Sequence, residues 1–180
     1  MIERRYATAM SFDSLVNQPK VIAQFPDWQF GENSALWFDA PLEIGGIVEA
    51  GFMLHGEARS DMPNMNVGLE LVYKNPLTKK RFALARLDWK SWKNQHRNKR
   101  RKGWPLRGKL CGETHYHAFE LNYVADKEKM RPGDLPVADD IDGELQTFES
   151  LRAMAGFLLG INNIELVKRP PWEYTEEMEL

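Results

Sequence analysis

Between residues 47 and 89, apolar side chains recur at every second position in successive runs, and short turn-forming segments separate the runs. A period of two puts alternate side chains on opposite faces of a strand, so such runs fold as half-buried strands rather than helices. In Ile47–Glu57, Val48, Ala50, Phe52 and Leu54 are predicted on one face, with Glu49, Met53, His55 and Glu57 on the other. Val67–Tyr73 alternates in the same way, and Arg81–Trp89 is the next predicted strand. The connections carry Ser60, Asp61, Pro63 and Asn64, then Asn75-Pro76-Leu77-Thr78, all residue types that favour turns. Links this short join antiparallel neighbours, because a parallel crossover takes a dozen residues or more. The pattern predicts an antiparallel meander rather than a βαβ series.

Elements on either side complete an α+β expectation: about five or six strands with one main C-terminal helix packed on a face. Ser11 is placed to cap a short helix through Val16. Ala35–Ala40 reads as a strand ending at Pro41, followed by a turn at Gly45-Gly46. Thr114–Tyr123 reads as a returning strand, and Ile164–Val167 as a last short one. Leu145, Phe148, Leu151, Ala155 and Leu158 recur at helical spacing, with Met154 and Phe157 widening the stripe and Gly160 as the stop. Residues 1–169 are expected to form one domain, and 170–180 an acidic, flexible tail. A chain of 180 residues with 43% hydrophobic content buries enough surface to fold without disulfides or metal. The single cysteine, Cys111, fits a reducing compartment. The charged start Met1–Tyr6 is not followed by an apolar run, and Met154–Ile161 falls far short of the roughly 20 residues that span a bilayer. A cytoplasmic location without membrane association is expected.

The net charge of −2 hides a segregation. Lys90, Lys93, Arg97, Lys99, Arg100, Arg101, Lys102, Arg107 and Lys109 fall in one segment that holds no Asp or Glu. Residues 126–180 carry thirteen acids against six bases. The basic segment, with Trp92, Trp104 and Asn98 interleaved and Gly103, Pro105 and Gly108 breaking regular structure, reads as an excursion between two paired strands. Most such runs are solvated loops. This one also offers aromatic faces on which bases can stack, and positive charge that can steer a polyanion. RNA or another polyanion is the expected partner of these twelve residues. A second copy or an antitoxin-type protein matched to the acidic half is the other partner considered.

Three of the four histidines, His96, His115 and His117, lie close together in sequence. His115 and His117 share a strand face, with Cβ atoms roughly 6–7 Å apart. Two imidazoles at that spacing serve as acid and base, or as metal ligands, or simply as packed and hydrogen-bonded core residues. On the preceding strand, Arg86 and Asp88 share a face with Phe82 and Leu84. The pair is either a local ion pair of little energetic weight, or a functional one. In the functional case Asp88 orients a histidine and Arg86 contacts an anion. His96, His115 and His117 with Asp88 also make a possible transition-metal set. Asp139, Asp140 and Asp142 are expected to favour the N-terminus of the following helix.

Several classes are excluded. No glycine-rich phosphate loop or nucleophile elbow is present, and one cysteine cannot build a cysteine-based zinc site. The order Leu84-Ala85-Arg86-Leu87-Asp88, His96-Arg97-Asn98, Gly112, Thr114-His115-Tyr116-His117 resembles an uncharacterised family of small prokaryotic proteins. Those proteins show Leu-Arg-Leu-Asp, His-x-Asn and His-x-His segments in that order, and similar small domains are suspected toxin-like ribonucleases. The likeness covers about Phe52 to Ile164 and departs in the long basic insertion after Asn98. It implies that Arg86, Asp88, His96, Asn98, His115 and His117 belong together.

The leading expectation is an RNA-directed phosphodiesterase. His115 and His117 exchange protons with the substrate, Arg86 and Lys109 stabilise developing charge, and no metal or other cofactor is required. The alternatives are a non-catalytic nucleic-acid-binding module and a protein–protein adaptor with structural histidines.

Overall fold

The computed structural model describes residues 11–173 except 93 and 94. The chain runs α1 (Phe12–Asn17), β1 (Val21–Ile22), β2 (Gln29–Phe30), β3 (Ala35–Ile44), β4 (Ile47–Arg59), β5 (Val67–Lys74) and β6 (Arg81–Trp89). It continues through β7 (His115–His117), α2 (Phe119–Asn122), β8 (Tyr123–Val124), β9 (Lys129–Met130), β10 (Asp139–Asp140) and α3 (Phe148–Leu159). The result is an α+β fold built on an open antiparallel sheet. Its strand order is β1-β3-β4-β5-β6-β7-β10, with β2 paired to β3, and β8–β9 form a separate hairpin. The five longer strands are those read from the alternation, and the extra members β1, β2 and β10 are two residues each. No helix among the described residues is long and apolar enough to cross a membrane.

One face of the sheet makes the core. Leu36, Phe38, Phe52, Leu54, Leu69, Leu71, Leu87 and Trp89 are buried there with Phe148, Leu151, Ala155 and Leu159 of α3. Thr147 caps α3 in a reciprocal arrangement with Ser150, and Gly160 closes it in the left-handed region. Leu145 lies outside the helix, where its carbonyl accepts from the Trp89 indole at 2.8 Å. Phe157, counted in the apolar stripe, is 82% exposed.

Other boundaries differ from the pattern for local reasons. β3 runs through Pro41, because the register shifts between Pro41 and Glu43 and spares the ring a ladder bond. That shift, with Gly51 at φ 81°, breaks the alternation of β4, so Val48 and Ala50 are exposed while Phe52 and Leu54 are buried. The strand at His115 stops at His117, and Phe119–Asn122 is one helical turn rather than its continuation. Ile164–Leu166 is a 3₁₀ turn. Asp139 and Asp140 do not serve the helix end; they form β10 and pair with Tyr116 and His115. Residues 170–173 pack rather than fray: Trp172 meets Phe148 edge-on at 6.0 Å, and Glu173 is bonded to Ser60 through backbone and side chain. The rest of the expected tail, 174–180, lies outside the described residues.

Candidate functional site at the histidine strand

The face of the sheet opposite the core carries polar side chains in register. Asp39, His55, Glu70, Arg86 and His117 stand in one row across β3 to β7. Glu57, Gly68, Asp88 and His115 stand in the next, with Asp140 continuing it. Antiparallel pairing thus turns the two-residue spacing of Arg86/Asp88 and His115/His117 into a square, Arg86 opposite His117 and Asp88 opposite His115. The basic excursion returns His96 over this square, and residues 131–138 close beside it, where the Pro136 carbonyl lies 3.2 Å from His96 Nε2.

The three imidazoles cluster tightly. Ring centroids are 4.7 Å apart for His96 and His117, 5.1 Å for His115 and His117, and 5.5 Å for His96 and His115. One ring nitrogen of each lies within 4.8 Å of the others. Every ring has one nitrogen anchored to an oxygen. His96 Nε2 donates to the Pro136 carbonyl, and His115 Nδ1 donates to the Gly112 carbonyl at 2.8 Å. His117 Nε2 lies 3.2 Å from Asp88 Oδ2, while its Nδ1 is buried with no partner among the described residues. The carbonyl bonds place the N–H on His96 Nε2 and on His115 Nδ1. His115 Nε2 faces Asp88 Oδ2 at 3.4 Å, and His117 Nε2 stands between Asp88 Oδ2 and Arg86 Nη2, the latter at 3.4 Å.

Asp88 is the hub. Its Oδ2 takes Arg86 Nε at 2.9 Å in addition to both histidines. Burial opposes its ionisation, but hydrogen bonds from His115 and His117 and the Arg86 charge prevail and hold it well below the usual carboxylate range. Burial pushes the His117 pKa down, aided by Arg86 and opposed by Asp88. His96 is lowered by burial and by the neighbouring His117. Gly68 leaves a hollow in the row; a Cβ placed there would stand 3.3 Å from Asp88 Oδ1.

Two expected roles do not hold. Arg86 is not free for an anion: its Nη1 reaches Asp134 at 3.1 Å and Glu70 at 3.9 Å, besides the bond to Asp88. Lys109 is bound by Asp139 and lies 3.0 Å from Asp140 Oδ2, so the excursion is partly neutralised from outside its own segment.

The excursion divides in the same way. Arg97, Lys99, Arg100, Arg101, Lys102 and Arg107 are exposed, as is Trp92. Asn98 is buried and structural: its amide donates to the Leu106 and Ala138 carbonyls and accepts from Ala138 N–H at 2.8 Å. Trp104 already has Arg101 and Arg131 over its ring, at 4.9 and 5.4 Å, which occupies the stacking face expected for a base. Lys90 turns to the Gln146 carbonyl, and Lys93 lies outside the described residues. Cys111 is buried against the Ala138 carbonyl, and burial raises its pKa further from a reactive thiolate.

His55 and Glu57 were read only as polar positions of a strand and Glu70 was not singled out, yet all three extend the site. His55 is clamped by Asp39 at 2.7 Å and Glu57 at 2.9 Å. Their signal was parity: each lies on the strand face that also bears Arg86 and His117. No protein-family model, curated protein or solved structure matches the chain, so the resemblance drawn above stands on its short motifs alone.

Proposed function

We propose that the chain is a metal-dependent hydrolase that cleaves RNA phosphodiesters, with His96, His115 and His117 as the ligands of a zinc-like divalent cation. The observation that supports this most is the cluster itself: one ring nitrogen of each of His96, His115 and His117 lies within 4.8 Å of the others, with His96 and His115 held by carbonyls and His117 beside Asp88. Histidine ligands oriented by a carbonyl or carboxylate on the far nitrogen are the usual surroundings of a metal. Three protein ligands with room for a fourth are the usual catalytic arrangement. Tetrahedral ligation at about 2.0–2.1 Å puts ligand nitrogens about 3.4 Å apart. In this structure the nitrogens are up to 4.8 Å apart, so ligation would require the rings to draw closer.

Direct acid–base work by His115 and His117 is less well supported than ligation, because the two are 3% and 0% exposed. A bound cation would supply an activated water at neutral pH. Asp88 would orient His117, and Arg86 would fix Asp88. Arg86 in turn is held by Glu70 and Asp134, so that the carboxylate keeps its aim when charge develops nearby. RNA as the substrate is supported by the exposed cations of the excursion.

The test is metal content of the purified protein by mass spectrometry, with cleavage of a fluorogenic RNA measured with and without chelator. One equivalent of metal, lost in His117→Ala, and cleavage abolished by chelation are expected. A protein that takes up no Zn²⁺, Co²⁺, Ni²⁺ or Mn²⁺ and cleaves no RNA, yet binds it, overturns the hydrolase reading in favour of a binding module.

A further inference from the structure

Beside the histidine centre, β7 pairs only with Arg86, Leu87 and Asp88, so among the described residues the outer edge of β6 before Arg86 has no strand partner. Between that free edge and the β8–β9 hairpin lies an open trough of about 730 Å³. We propose that this trough binds single-stranded nucleic acid and is the main substrate-binding surface of the protein. The proposal deepens the hydrolase reading by giving its substrate a seat, and rests on it only for the direction in which the strand is fed.

Positive charge reaches the trough from separate segments of the chain. Lys80 precedes β6 and Arg81 begins it; Lys129 lies in β9 and Arg131 just after it. Lys99 of the excursion stands at the rim: its Nζ would be 3.5 Å from a Cβ built on Gly133, itself a wall residue. Trp104 lies under both Arg101 and Arg131, and so latches the excursion to the hairpin. Arg81 is bound to Glu70; of the two wall carboxylates, Asp134 is bound to Arg86, and Glu128 stands at the turn of the hairpin. Among the described residues, Lys80, Lys99, Lys129 and Arg131 have no carboxylate partner. Convergence of unneutralised cations from three segments distant in sequence is a stronger signal than their number in any one segment.

The walls also include Phe12 and Phe82, half-buried, with rings 5.1 Å apart and Lys80 Nζ 4.8 Å over the Phe82 ring. Aromatic surface among cations suits bases with phosphates alongside, once a phosphate draws Lys80 aside, and suits an acidic peptide poorly. The inner end of the trough shares Arg81 and Asp134 with a small hollow lined by Glu70, Arg86 and His55. A strand lying in the trough would therefore be led to the Arg86–Asp88 side of the histidine centre.

The experiment is fluorescence anisotropy of a labelled short polyuridine on the full chain, over a series of salt concentrations. Lys129→Glu with Arg131→Glu should weaken binding by about tenfold or more, and flatten the log–log salt slope by about 1.4 for two lost phosphate contacts. A charge-matched control away from the trough, Arg59→Glu with Lys168→Glu, should change affinity less than about twofold. Lys80→Ala with Lys129→Ala, read against a thermal melt, serves if the glutamate variant misfolds. Equal binding of oligothymidine would extend the ligand to single-stranded DNA, within the proposal. Wild-type affinity in both trough variants, with loss on changing Arg100, Arg101 and Lys102 to alanine, would overturn it in favour of the excursion. Preference for a duplex, equal displacement by polyglutamate, or no binding at low salt would overturn it too. His117→Ala should retain binding; a protein that binds through the trough but holds no metal and cuts nothing sinks the hydrolase reading and leaves the trough standing.

Discussion

Asp88 Oδ2 and His117 Nε2 face one another at 3.2 Å from adjacent strands, and the same oxygen receives Arg86. Neutralising that oxygen should show what it does. Asp88→Asn keeps the volume but removes the charge that orients His117. Loss of such a partner commonly costs about 10- to 100-fold in metal affinity, and Zn²⁺ competition against a chromophoric chelator should record it. Unchanged affinity would place Asp88 outside the centre.

Gly68 offers a finer probe. Its strand conformation accepts alanine, and the new Cβ would meet Asp88 Oδ1 at 3.3 Å. Gly68→Ala is expected to leave the melting curve nearly intact while lowering RNA cleavage by about 10- to 100-fold through displacement of Asp88. Equal losses of stability and cleavage would point to a packing defect instead.

The Asp39–His55–Glu57 clamp makes a pH prediction. Burial works against the imidazolium, but its hydrogen bonds to Glu57 and Asp39 prevail and raise the His55 pKa above its ordinary 6.5. Glu70, directly across on β5, and Arg86 beyond it are the other charged groups of that row. A raised folded-state pKa means a stabilisation that is complete below 6.5 and is lost as pH rises through the raised value. Urea denaturation should therefore find His55→Gln most damaging on the acid side of 6.5 and least on the alkaline side, with the wild-type His55 resonance titrating above 6.5 in NMR.

Asn98 belongs to the scaffold. With three hydrogen bonds and 1% exposure, Asn98→Ala leaves buried partners unpaired. A loss of about 2–3 kcal/mol is expected from chemical denaturation. The salt slope of RNA binding should be unaltered.

Trp172→Ala tests the C-terminal packing. The indole is 7% exposed and set edge-on to Phe148 at the start of α3. Its removal should cost about 3–5 kcal/mol. Truncation after residue 169 should do at least as much, read by the same denaturation curves.

Much of this architecture was legible in the chain. Alternation located β5 and β6 almost to the residue, and the shared parity of Arg86/Asp88 and His115/His117 anticipated the square they form. What was not legible depends on long-range contact. Nothing local says that Asp139 and Asp140 will meet Lys109, or that Asp134 and Glu70 will occupy Arg86. Asn98 and the exposed arginines beside it look alike in sequence, because burial is decided by where residues 131–138 come to lie. Glu70 and His55 were hidden among ordinary polar strand positions, since a row across a sheet is a property of register, not of spacing.

The two-residue strand Asp139–Asp140 has a consequence for how the protein behaves in company. A sheet that ends on a long apolar strand exposes a row of free amides and carbonyls, on which another molecule can grow. Here the outermost strand is two residues long and bears two carboxylates. An incoming strand finds little to pair with and a like-charged obstacle if it too is acidic. The histidine strand β7 thus sits one strand in from this border, behind a selvedge that gives an incoming strand little to extend there.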